Sequence, residues 1–172
     1  MESSYQPELW HDLFVMLGST AGALLGLLFV VTSLNLGLIV NDPVFRLRAR
    51  NNTLHLLIML VEAGLLLAPQ PTSILGAELI VVNLFGLWLP INFVRVFLKN
   101  KERFHGRVAQ TAPIFIASYL LGIAGAAALI GHRNWGIYLI SASCLMIPVA
   151  VSLNAWSIML GIGQSGGGDL QE

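Results

Sequence analysis

From Leu13 to Val40 this chain carries no charged residue, and that run limits its folding options more than any other feature. A bilayer's hydrocarbon core is about 30 Å thick and is crossed by roughly 20 apolar residues of helix. The rest of the sequence continues in the same manner: of 172 residues, 56% are hydrophobic and 10% charged, against roughly a quarter charged in soluble domains. The chain therefore reads as an all-α polytopic transmembrane helix bundle.

Five spans are expected, at about 13–40, 53–68, 73–98, 109–131 and 137–161. Asn41-Asp42-Pro43 and a basic loop with Arg46, Arg48 and Arg50 follow the first. The second is the least apolar, because it contains His55 and Glu62, and Pro69-Gln70-Pro71 ends it by removing backbone donors and disfavouring helix before each proline. Lys99, Lys101, Arg103 and Arg107 follow the third span, and His132 to Gly136 separates the last two. Residues 1–12 form an exterior N-terminal segment with Glu2, Glu8 and Asp12 and no basic residue, so a cleavable signal peptide is not expected. Residues 162–172, Gly-rich and polar, form a flexible cytoplasmic tail.

Short loops rich in Lys and Arg stay cytoplasmic. Eight of the nine basic residues fall in or beside the two basic loops, and only Arg133 falls elsewhere. Both basic loops share one side only if the weak second span crosses. The expected topology is therefore N-terminus outside and C-terminus inside, with Tyr5, Trp10, Trp135 and Tyr138 in an outer aromatic belt. Juxtamembrane charge of this kind suits anionic lipid headgroups, contacted by Arg46, Arg48, Arg50, Lys99, Lys101, Arg103 and Arg107, and not nucleic acid.

Glu62 and Glu78 lie eight residues before and eight after Gln70, so on antiparallel neighbours each sits at a matching depth, about 10 Å below the outer helix ends. No Lys or Arg in the outer half of a span can neutralise them. Two such carboxyls favour a shared proton or a bound cation. The alternative is structural: each is protonated and hydrogen-bonded inside the bundle, for example to Asn83, Thr20 or Ser143. His55, seven residues before Glu62, shares its helix face and is a possible relay, although a wetted or structural histidine fits its position near the boundary as well.

Gly18, Gly22 and Gly26 recur at intervals of four on span one, and Ser118, Gly122 and Ala126 do so on span four. Small-residue strips let helices approach closely, either within the chain or between subunits. Five short helices enclose little interior, which favours a homo-oligomer or a larger membrane complex. Pro90 and Pro148 interrupt spans three and five, marking kinks or freed carbonyls. Ser33-Leu34-Asn35 recurs as Ser152-Leu153-Asn154, too short a match to infer a repeat.

No cofactor or metal site is expected, and no enzyme. Cys144 is the sole cysteine, which excludes an intrachain disulfide and a Cys-rich zinc site. The G-x-S-x-G match at Gly163 to Gly167 lacks the strand and helix that would expose a nucleophile. The stretch Trp10-His11-Asp12-Leu13-Phe14, with Gly22, Gly26-Leu27-Leu28-Phe29-Val30 and Ser33-Leu34-Asn35 before an Arg-rich loop, resembles small multi-pass bacterial membrane proteins that carry no assigned function. The likeness covers about the first 60 residues. It implies a bacterial cytoplasmic (inner) membrane and no activity.

The function expected is that of a non-enzymatic, oligomeric membrane protein binding or conducting a proton or small cation through Glu62 and Glu78. The alternative is an accessory or regulatory subunit packed against a larger membrane partner.

Overall fold

The computed structural model describes residues 7–99 and 111–166. A 3-10 turn, Pro7–Trp10, leads into α1, His11–Leu34, and the short α2, Leu36–Asn41, follows. The break lies at Asn35, whose side-chain Nδ2 donates to the Val31 carbonyl at 2.9 Å. Thr32 and Ser33 each donate a hydroxyl hydrogen bond back to the carbonyl four residues earlier, at 2.6 and 2.8 Å. Three side chains within four residues thus compete for main-chain carbonyls, which bends or ends helices. The expected continuous span 13–40 is divided at this point.

Helix α3, Pro43–Leu67, begins ten residues before the expected span, so the first basic segment is helical and not a loop. The local sequence accounts for this. Asp42 accepts from the Val44 N–H at 2.7 Å, and Pro43 occupies the first turn, where its missing donor costs nothing. Ala68 to Pro71 turns the chain into α4, Thr72–Lys99. Helix α5, Ala112–Ile130, joins α6, Gly136–Gly166, through a Schellman turn. Arg133 N–H donates to the Ala128 carbonyl at 2.9 Å and His132 N–H to that of Leu129 at 3.0 Å, with His132 in the left-handed region at φ 55°. Helix α6 continues through 162–166, which were expected in the tail. Residues 167–172 lie outside the described residues, as do Lys101, Arg103 and Arg107.

The described residues are helical, with turns between helices and no strand. Among the described residues, four helical segments are long and apolar enough to cross a membrane: Glu8–Leu34, Thr72–Lys99, Ala112–Ile130 and Gly136–Trp156. Helix α3 differs in composition and not in length, since 25 residues at 1.5 Å each reach about 38 Å.

Helix α4 packs along α5, α5 along α6 and α1 along α3, while α3 also touches α4 and α6. The least apolar of the long helices therefore lies among the others. Its buried positions include Arg48, Asn52, His55, Met59, Glu62 and Leu66, which follow one another at intervals of three and four on one face. Leu57, Leu60 and Val61 are exposed on the other side, so along 51–62 the polar side chains are sheltered among buried aliphatic ones and the outward positions are aliphatic. Helix α1 is the least covered of the candidate spans, with Phe14, Leu17 and Ala21 its buried residues.

Candidate functional site

The inward face of α3 carries a column of polar side chains. From Arg48 to Glu62 it rises about 21 Å along the helix axis. Arg48, Asn52, His55 and Glu62 are all buried, and each finds partners on another helix.

Near the start of α3, Arg48 donates from Nε and Nη2 to Asn154 Oδ1 of α6, at 3.2 and 2.7 Å. Asn154 Nδ2 in turn donates to Asn52 Oδ1 at 2.6 Å. One helical turn further along, His55 Nδ1 and the Tyr119 hydroxyl of α5 share a hydrogen bond of 2.7 Å. The imidazole also stacks on Phe115, with centroids 3.9 Å apart and planes 11° from parallel. Two α5 side chains thus set the ring's tilt and position. Tyr119 fits because Gly86 of α4 lies beneath its ring, where any Cβ would collide with it.

Glu62 is 1% exposed. Asn83 of α4 donates from Nδ2 to its Oε1 at 2.6 Å, and the Cys144 thiol of α6 donates to its Oε2 at 3.5 Å. Asn83 also donates to the Leu79 carbonyl at 2.9 Å, which holds the amide toward α3. The amide's other side lies over Gly122 of α5, where a Cβ would collide with Asn83 Oδ1. Three helices therefore meet at one carboxyl, and no ion pair forms there among the described residues. Asn52 Nδ2, Asn83 Oδ1 and Ser143 Oγ are buried without a hydrogen-bond partner.

The expected pairing of Glu62 with Glu78 is not what the helices bring together. Glu78 is half-buried, and Gln70 Nε2 donates to its Oε2 at 3.0 Å while also capping the Leu65 carbonyl at 3.2 Å. Counting outward from the turn gives depth but not rotation. The buried face of α4 runs through Leu75, Leu79, Asn83, Gly86 and Pro90, so Glu78 stands about 100° from it. Asn83, the neutral partner anticipated by the structural alternative, occupies the place facing Glu62. His55 lies on the same buried face as Glu62, as expected, but its partners are Tyr119 and Phe115.

The two small-residue strips do not meet. Gly18 approaches Ala63 of α3, where an added Cβ would be 3.3 Å from the alanine methyl, while Gly22 and Gly26 face open space. Ser118, Gly122 and Ala126 are buried; Gly122 receives Asn83, and the Ala126 carbonyl faces Gly76, both of α4. Among the basic residues expected at headgroups, Arg46, Arg50 and Lys99 are exposed, whereas Arg48 is buried on Asn154. Trp10 meets Tyr138 edge to face at 4.9 Å, bringing two residues of the expected belt together at one end of the bundle.

Tyr119, Asn52, Asn83 and Asn154 complete the column, and of these only Asn83 was singled out from sequence as a partner. The spacing of Arg48, Asn52, His55 and Glu62 is the signal that could have found Asn52. Nothing local to Tyr119 or Asn154 distinguishes them. No group of three potential metal ligands occurs among the described residues. Compared with known proteins, the chain matches no family model, no curated protein and no solved structure.

Proposed function

We propose that this chain is a five-span, non-enzymatic protein of a cytoplasmic membrane that binds and passes a proton at Glu62. The N-terminus is outside and the C-terminus inside. The observation that carries the proposal is a fully buried carboxyl whose hydrogen bonds come from an amide and a thiol, with no cation among the described residues to fix its charge. A carboxyl so placed can hold a proton stably and release it only when its surroundings change. The His55–Tyr119 pair, on the same face and nearer the basic end, supplies two further exchangeable protons.

The sheltering of Arg48, Asn51, Asn52, His55 and Glu62 inside the bundle supports a fifth span, since the positions that α3 exposes beside them include Leu57, Leu60 and Val61. The clustering of basic residues supports the orientation. The site proposed is a single carboxyl and not the pair expected from sequence, with Glu78 serving the α3–α4 turn.

Proton flux into vesicles reconstituted with the purified chain tests this. Glu62→Gln abolishes flux while the protein elutes as a folded species, and Glu78→Gln retains it. Undiminished flux in Glu62→Gln discards the reading, and equal loss in both variants restores the paired site.

A second reading, that of an accessory subunit or a homo-oligomer, is favoured by α1. This helix is the least covered of the candidate spans, and Gly22 and Gly26 leave a shallow strip open on it. Gly22→Leu then releases the partner in a detergent pull-down without altering flux. If the chain runs as a lone monomer before and after that substitution, α1 has no protein partner.

A further inference from the structure

Helix α1 packs along a seam that is covered for only half its length. Phe14, Leu17 and Ala21 are buried, and the same spacing of three and four continues through Leu24, Leu28 and Val31 on that face. These three are only half-buried. They line a groove of about 250 Å³ whose other walls include Phe45 and Ala49 of α3 and Trp156 of α6. Contacts across the bundle fix its position. Arg48 of α3 meets Asn154 of α6 and Glu62 meets Cys144, so the two helices are antiparallel, and Phe45 and Trp156 mark the groove's basic end. Gly18 of α1 faces Ala63 of α3, so Leu24 marks the far end. Leu24 to Val31 covers about 10 Å of the helix axis. Leu27 and Trp156, both lining and both exposed, leave the groove open to the side.

The lining is aliphatic and aromatic apart from Thr32, Ser152 and the Trp156 indole N–H, and the Thr32 hydroxyl already donates to the Leu28 carbonyl. Since an apolar cavity of about 150 Å³ takes a benzene ring, this one accommodates a run of roughly ten carbons. Arg46 and Arg50 stand at its basic end. Each follows a lining residue, Phe45 or Ala49, and the pair shares an exposed face of α3 at a spacing of four. Asp42, the acidic residue nearest to them in sequence, is engaged in capping α3 through Oδ1. Trp156 brings the amphipathic ring that settles at headgroup level. We infer that one acyl chain of an anionic phospholipid occupies this groove, with its phosphate held by Arg46 and Arg50. The chain completes the α1 seam below Ala21. Gly22 and Gly26, the strip suited to a partner helix, lie on another side of α1. The inference rests on the membrane placement proposed above and not on proton passage at Glu62, so proton flux and lipid retention can fail separately.

Native mass spectrometry of the full chain tests this, with the protein released from micelles holding equimolar phosphatidylglycerol and phosphatidylcholine of identical acyl chains. The expected result is one phosphatidylglycerol per chain, preferred about thirtyfold, since two arginines contribute roughly fivefold each. Joint Arg46→Gln and Arg50→Gln substitution brings the preference near unity while a lipid is still retained. Leu28→Trp fills the groove from α1 and loses both lipids. Lys99→Gln, an exposed cation on α4, leaves the preference unchanged. A second measurement needs no filled groove: in vesicles, phosphatidylglycerol with brominated acyl chains quenches tryptophan emission more than brominated phosphatidylcholine does, and Trp156→Phe removes the excess. Equal retention of the two lipids by the native chain, a preference that survives loss of both arginines, or equal quenching by the two brominated lipids overturns the proposal. So does a dimer that carries no lipid, which would put a second copy in the groove.

Discussion

Tyr119 shows how much of this core depends on single atoms. Its hydroxyl is the hydrogen-bond partner of His55 Nδ1, and both residues are buried. Tyr119→Phe keeps the ring over Gly86 but leaves that nitrogen without its partner in a dry interior. Such a loss costs about 1–3 kcal/mol, because the desolvation of the orphaned group is no longer offset. Unfolding of the purified chain by a denaturing detergent should report that difference. The matched control, Tyr138→Phe, removes the hydroxyl of a ring that is 64% exposed and should change stability by less than about 0.5 kcal/mol. Comparable effects in the two variants would mean that the His55–Tyr119 bond is not a structural tie. Sequence signalled His55, since a histidine in an apolar stretch is conspicuous. It could not signal Tyr119, whose pairing depends on the rotation of α5 and on the absence of a side chain at Gly86. The same limit separated Glu62 from Glu78: equal distance from Gln70 gave equal depth, and only the buried face of α4 decides that Asn83 points inward.

The glycines show a related limit at the scale of helices. Spacing by four marked Gly22 and Gly122 as equivalent members of two strips, yet packing gives them opposite roles. Gly122 is a slot against which the Asn83 amide rests, and Gly22 faces open space. A methyl added at Gly122 must displace that amide and with it the hydrogen bond to Glu62, so Gly122→Ala should cost about 1–3 kcal/mol, as overpacked cores do. At Gly22 the same change meets nothing and relieves the entropic penalty of glycine in a helix, a gain of about 0.5–1 kcal/mol. Opposite signs in the same unfolding assay are expected. Equal signs would show that the amide slot is not tight, or that a neighbour already covers Gly22 in the purified protein. Helix existence was well marked in the sequence, since every long helix coincides with an anticipated span. Boundaries were less so. Asp42 and Pro43 are a helix start that the basic residues after them disguised as a loop, and Asn35 ended α1 through hydrogen bonds that hydropathy does not register.

Across the whole molecule, the question that decides the rest is whether α3 crosses the bilayer. Four segments pass by length and apolarity, and α3 does not, because Arg48, Asn51, Asn52, His55 and Glu62 all lie on it. Those residues are buried in the bundle, however, and the lipid senses only what a helix turns outward. The outward residues of α3 include Leu57, Leu60 and Val61, and a helix of that kind can cross wherever its polar side is sheltered. Cysteine labelling separates the alternatives, since the chain's own Cys144 is buried and stays silent. In intact cells an impermeant maleimide should reach Gln70→Cys and Asn134→Cys, while Arg46→Cys should react only after permeabilisation. If α3 lay along the surface instead, Arg46→Cys and Gln70→Cys would label together, the two Arg-bearing segments would fall on opposite faces, and the column from Arg48 to Glu62 would have no membrane to cross.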